Sequence, residues 1–227
     1  MNRTRTIALV SVLALSASAY AFGGWAVVTL DDLPTSLTVG KPTTFTFVVR
    51  QHGHTLMDDV KPSIEAKTGG MIGGSTVTVD ARRMKESGRY SATLSVPKAG
   101  EWRITINSGW GNSATKLYPI PAVEAGKTVA ALSDVERGKH LFAAKGCLAC
   151  HVNTRVEGKG IVDDFGPNLS DKAFDPAYLA MWLANPKIKP PTNPGREMPL
   201  LGLSKAEIAS LTAFINNGKS VAATKQH

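Results

Sequence analysis

Cysteine is almost missing from this chain: 227 residues contain two, at positions 147 and 150. A disulfide-stapled secreted fold needs several pairs, and a closed structural zinc site needs four ligands, so neither organises the chain. Runs of one charge sign are also missing. Lys and Arg outnumber Asp and Glu by 26 to 18, giving a net charge of +8, but the positive residues are spread over both halves. That excludes the usual footprint of a nucleic-acid binder and leaves a mild positive field, suited to meeting an acidic protein partner. There is no internal repeat, no low-complexity tract and no apolar run of the roughly 18–20 residues that a spanning helix requires. The nearest to one is Ile7 to Ala19, preceded by Arg3 and Arg5 and followed by Ala19-Tyr20-Ala21, with Ala17-Ser18-Ala19 as a second small-residue site. This is the layout of a signal peptide over 1–21, removed on export to the periplasm. A retained anchor is the competing reading, and the short apolar stretch argues against it.

What is present falls into two textures. From Trp25 to about Tyr118, apolar residues alternate with a period of two: Phe45, Phe47 and Val49; Val77 and Val79; Tyr90, Ala92, Leu94 and Val96; Trp102, Ile104 and Ile106. Turn residues such as Gly40-Lys41-Pro42, Gly73-Gly74 and Pro97-Lys98-Ala99-Gly100 separate these runs. Short alternating strands with regular turns predict an antiparallel, immunoglobulin-like β-sandwich over 22–120, without a disulfide. Pro119, Pro121 and the residues up to Ala131 read as a linker, 121–131. Beyond it the period becomes helical, giving an all-α domain over 132–227 with a loose tail after Gly218. Ser133-Asp134-Val135-Glu136 and Ser204-Lys205-Ala206-Glu207 are capping boxes, each opening a helix. A third helix is expected over Pro176 to Ala184.

Both cysteines lie in Cys147-Leu148-Ala149-Cys150-His151. C-x-x-C-H is the spacing at which two thiols can add across the vinyl groups on one haem edge while the histidine Nε2 reaches the iron. Zinc lacks its remaining ligands here. A thioredoxin-type dithiol opens a helix in a βαβ unit, whereas Cys147 follows a helix and precedes a Gly/Asp-rich loop. A plain disulfide in an exported protein is the serious alternative, and the adjacent His151 favours haem.

The surrounding sequence, over 132–219, resembles class I cytochrome c. Gly138 and Phe142 match that family's glycine–aromatic pair on the first helix, and Leu211 and Phe214 match the residues of the last helix that cross it. Gly166-Pro167-Asn168-Leu169 is similar to the segment after the attachment loop. The resemblance implies that the Pro167 carbonyl accepts the Nδ1–H of His151 and fixes its orientation. Tyr178 to Pro186 and Met198-Pro199 are similar to the family's later half. One covalent haem c is implied, with Cys147 and Cys150 as attachment points and His151 as an axial ligand.

Four side chains compete for the sixth coordination position: Met181, Met198, His140 and His227. Met181 has helical spacing and is expected in the core. His140 is expected to be solvated on the first helix, and His227 ends the tail. Met198 lies in the irregular loop Pro194 to Pro199 and matches the family's methionine, so it is the expected ligand. A thioether there raises the reduction potential relative to a bis-histidine haem and leaves no open position for an enzyme's substrate. Leu169 is expected to seal the haem face. Trp182 either donates to a propionate or fills the core, and Arg196 either balances a propionate or is solvated.

In the first half, Gly88-Arg89-Tyr90-Ser91-Ala92-Thr93-Leu94 and Pro97 to Trp102 resemble the periplasmic YtkA-like β-sandwich family. His52-Gly53-His54, with Met57 nearby, would place two imidazoles on one face if the segment is extended, a candidate copper site, against the more ordinary reading of a polar strand end or turn. Two functions stay open at this level. One is an electron carrier, not an enzyme, serving redox partner proteins such as a respiratory complex or terminal oxidase, with no nucleic acid involved. The other is a copper-handling or redox-sensing protein in which the β domain binds metal. Each half is expected to enclose its own core and to fold alone.

Overall fold

The alternating segments fold into two packed sheets in a computed structural model that describes residues 24–69, 73–158, 165–188 and 196–216. The expected signal peptide, Pro194, Gly195 and His227 lie outside the described residues. The first six strands are β1 (Ala26–Leu30), β2 (Leu37–Thr38), β3 (Thr43–Gln51), β4 (Thr55–Leu56), β5 (Ser63–Thr68) and β6 (Ser75–Asp80). Then follow β7 (Arg82–Arg83), β8 (Arg89–Leu94), β9 (Gly100–Asn107), β10 (Ala114–Lys116) and β11 (Ile120–Val123). One sheet has the order β1-β3-β8-β7 with β4 beside β3; the other runs β2-β11-β9-β5-β6 with β10 beside β9.

Register follows the alternation. Phe47 lies opposite Tyr90, Val28 opposite Val49 and Ala66 opposite Ile104, and all six are buried. The period of two therefore sends every second residue of β3, β8 and β9 into one shared core. Polar atoms carried inward find partners: Trp102 Nε1 donates to Lys98 O at 3.0 Å and Tyr90 OH to Met57 O at 2.8 Å. One pairing departs from the antiparallel expectation. β11 runs parallel to β2, with Ala122 opposite Leu37. Strands so far apart in sequence are not joined by a hairpin, so nothing forces them to oppose. β11 also occupies residues expected in the linker; the exposed link begins at 124.

The helical half contains α1 (Asp134–Ala144), α2 (Pro176–Ala184) and α3 (Lys205–Ile215). Ser133 caps α1 by accepting the Glu136 N–H, while the Glu136 carboxylate turns to Lys139, 3.7 Å away. Ser204 and Glu207 complete the reciprocal box on α3. Asp175 caps α2 through the Tyr178 N–H at 2.8 Å, with Pro176 in the first turn.

α1 and α3 cross at Gly138. A Cβ built there would stand 2.0 Å from Ser210 O and 2.6 Å from Phe214 Cβ, so only glycine permits this approach. The Phe142 and Phe214 rings then meet edge to face at 5.7 Å. Gly138→Val forces the helices apart and is expected to cost about 3 kcal/mol or more in urea denaturation. An unchanged midpoint would mean that the two helices do not meet there.

The two halves share a buried junction that neither periodicity announced. All five residues of β1 are buried, although an outer strand ordinarily wets one face. Its outer side is covered where α1 ends: a Cβ on Gly146 would meet Val27 Cγ1 at 2.6 Å and Val28 O at 2.8 Å. Next to it Lys145, 2% exposed, places Nζ 2.7 Å from Glu207 Oε1 and donates to Asp31 O at 2.5 Å. Burial alone would raise the Glu207 carboxyl, but the hydrogen bonds from Lys145 and the Ser204 N–H hold it below its usual range. One cation thus ties α1, α3 and the loop after β1 together. Tyr118 adds a second contact, its ring stacked on His140 at 4.6 Å and its hydroxyl accepting the Glu157 N–H at 2.8 Å.

Candidate functional site

The site begins where α1 stops. Gly146 adopts φ +76°, a left-handed residue that ends the helix, and its N–H donates to Ala143 O at 3.0 Å. The chain then tightens into a single 3-10 turn, Cys147–Ala149. Cys147 O accepts from both the Cys150 N–H (3.2 Å) and the His151 N–H (2.9 Å). C-x-x-C-H is therefore one compact turn, with the histidine leaving it directly after the second thiol.

A second segment is laid across this turn. Gly166 N donates to Cys150 O at 2.8 Å and Leu169 N to Val152 O at 2.8 Å. Between those bonds His151 Nδ1 lies 3.0 Å from Pro167 O. A carbonyl only accepts, so Nδ1 carries the proton and the Nε2 lone pair is left for a metal. Burial lowers the His151 pKa and the Pro167 contact partly opposes this, so the ring is neutral at pH 7. Gly166 is indispensable to this packing. Its Cβ would come within 2.7 Å of His151 Cε1 and Nδ1. The histidine thus sits in a cradle that any larger residue would fill.

The donor set fits a haem attached through thioethers. Both thiols are free, and Cys147 packs against the apolar core together with Leu148 and Met198. Burial, and secondarily Cys150, pushes the Cys147 thiol up to about 12; burial pushes Cys150 up to about 11. A disulfide-exchange pair is tuned the opposite way, toward the thiolate. What the turn offers is two neutral thiols beside an imidazole with one free nitrogen. Among the described residues no cluster of three or more His, Cys, Asp or Glu could hold a bare metal ion.

Leu169 is 7% exposed and belongs to the core. Met198 is half-buried and packs against the same core. Trp182 is half-buried, its ring 6.3 Å from that of Tyr178. Arg196 is exposed, with its guanidinium 5.8 Å from the Phe165 ring centroid. Two expectations fail. Met181 is 52% exposed rather than in the core, because α2 buries Leu179 and Leu183 and position 181 lies on another face. His140 is half-buried against Tyr118 rather than solvated, and burial lowers its pKa. His52-Gly53-His54 is a turn, the ordinary one of its two readings, and not an extended segment. His52 has φ +51°, and its ring meets Trp25 while that of His54 meets Phe165.

Sequence reasoning also missed residues that hold the site. Arg155 donates to Phe214 O at 2.8 Å and Ile215 O at 3.1 Å, closing the carbonyl end of α3 onto the loop after His151. Asn216 pairs with the backbone of Phe174, donating to its O at 2.9 Å and accepting from its N–H at 2.8 Å. An arginine at a helix C-terminus has a recognisable logic, but here it arrives from a distant loop and leaves no local pattern.

Comparison with known proteins agrees with this geometry. A family model described as YtkA-like matches residues 27–107, and one described as cytochrome c matches residues 135–219. No curated protein matches the chain. Among solved structures, a CARDB domain from Pyrococcus furiosus, described as a complex with di-metal ions, is 15% identical. It covers 45% of this chain and 90% of its own, with a TM-score of 0.27, too low to support any conclusion. The cytochrome c match carries covalently bound haem c with it. The chain joins a YtkA-like domain to a C-terminal cytochrome c domain.

Proposed function

We propose that this protein is an exported single-haem electron carrier in which Cys147 and Cys150 form the thioethers and His151 and Met198 are the axial iron ligands. The observation that carries the reading is the His151–Pro167 contact at 3.0 Å, which commits Nδ1 and aims the chemistry at Nε2. Bound haem supplies a metal that changes charge by one electron at nearly constant geometry. The protein's own residues keep that geometry constant. Gly166 holds the imidazole edge, Pro167 O holds its proton, and the Cys150 and Val152 carbonyls fix the segment that carries both. Met198, packed on the core, would supply the sixth ligand, and a thioether there would leave no open position for water or exogenous ligands. Trp182 and Arg196 are assigned to the haem surroundings, and Leu169 to the apolar wall.

Export is supported by the 1–21 segment and by both families, whose domains typically work outside the cytoplasm. No described helix is long and apolar enough to cross a membrane. The partners are redox proteins, with a respiratory complex or terminal oxidase as the proposed client, met through the mild positive charge. A potentiometric titration of the purified haem protein is expected to give one reversible one-electron transition, with no carbon monoxide binding in the reduced state at neutral pH. Ready carbon monoxide binding would point instead to an open iron and to an enzyme or sensor.

A further inference from the structure

The β domain meets the segment that orients His151 at the aromatic ring of Phe165. Phe165, immediately before Gly166, meets the Trp25 ring edge to face, with centroids 5.6 Å apart and planes at 80°. The His54 ring lies 6.4 Å away and tilted. Trp25 is anchored within the sandwich: its carbonyl accepts the His52 N–H at 2.9 Å, its ring meets that of His52 at 5.7 Å, and the following Ala26 N–H donates to Ser113 Oγ at 3.0 Å. From the helical half, the Arg196 guanidinium approaches the same Phe165 ring. Arg196 stands two residues before Met198, and Phe165 two residues before Pro167. One ring is thus the meeting point of the β domain, the segment holding His151 and the segment carrying Met198.

We propose that Trp25 is a positioning residue for the haem iron, acting through Phe165, so that the β domain controls the axial geometry of the cytochrome domain. Rigid support behind a ligand's hydrogen-bond partner governs how well that ligand is oriented. Gly166, next in the chain, has no side chain with which to brace itself. Its own N–H donates to Cys150 O, and the ring of Phe165 is the side chain next to it that can brace it. Aromatic edge contacts are directional, so replacing Trp25 by a residue without an aromatic ring removes the wall rather than merely thinning it.

The proposal rests on His151 and Met198 being the axial pair, and its test separates the two claims. In the full-length haem protein carrying Trp25→Ala, amide hydrogen exchange at Gly166 and Leu169 is expected to be about tenfold faster, while Val49 and Ile104 in the sheets keep their protection. The far-red sulfur-to-iron band is expected to weaken, and Trp25→Phe is expected to restore both readouts. If Trp25→Ala does not fold, Phe165→Leu is read in the same way. Unchanged exchange at Gly166 overturns the proposal. So does faster exchange with an unaltered band, because the effect then stops short of the iron. Faster exchange throughout the sheets overturns it as well, since that is general loosening. A wild-type protein with no far-red band would defeat the Met198 assignment instead, while Gly166 exchange would still report whether Trp25 seats the loop.

Discussion

Met198→Ala is expected to abolish the far-red band and turn the oxidised haem high-spin or water-ligated, with the reduced form binding carbon monoxide. The reason is that a thioether is a weak, soft ligand with no substitute at its position. His140, the half-buried histidine on α1, is engaged with Tyr118. Met198→His is expected to keep six-coordination and lower the reduction potential, since imidazole favours the oxidised iron more than a thioether does. Removing a half-buried methionine also loses packing, a cost on the order of 2 kcal/mol. Met181→Ala is the control. With 52% of the residue exposed, it is expected to change stability by no more than about 0.5 kcal/mol and to leave the band intact. Loss of the band in the Met181 variant and its survival in the Met198 variant would exchange the two roles.

Replacing both Cys147 and Cys150 with Ala is expected to eliminate covalent haem entirely. These are the chain's only two thiols, so no other side chain can form a thioether. Each single variant is expected to retain one linkage, visible as a haem-staining band on a denaturing gel, and the double variant none. His151 remains in place in all three, with Pro167 O still holding its Nδ1–H. The double variant is therefore expected to bind haem reversibly rather than not at all. Haem that stays with the denatured double variant would require a different attachment chemistry.

Much of the architecture was legible because it repeats locally. Phe45-x-Phe47-x-Val49 and Trp102-x-Ile104-x-Ile106 report their strands through side chains that alternate across a sheet. The Ser133 and Ser204 signals mark helix starts to the residue because a cap is a contact between near neighbours. C-x-x-C-H was legible for the same reason, being one turn. Most of the unread features are contacts between residues far apart in sequence. Lys145 looks like an ordinary solvated lysine at a helix end, and only the folded chain brings Glu207 and Asp31 O to its ammonium. Breaking such a buried pair by removing one partner costs about 3–5 kcal/mol, so its burial is consequential although no local pattern signals it. Phe165 lies in a polar stretch of sequence, and its ring meets Trp25, His54 and Arg196 from distant parts of the chain. Met181 was misread because helical spacing defines a face but not which face is covered. The parallel pairing of β11 with β2 is likewise set by which strand edge is free rather than by either strand's residues.

The attachment itself is tested most directly on the unmodified protein. It should be produced with a working c-type maturation system, denatured, extracted with acidified organic solvent and examined as the pyridine haemochrome. One haem per chain is expected to stay with the polypeptide, on the peptide containing Cys147 and Cys150, with the spectrum of a two-thioether haem. Haem that passes into the organic phase, or a chain that carries none, would contradict the covalent cytochrome on which the axial ligands, the electron-carrier function and the role of Trp25 all depend.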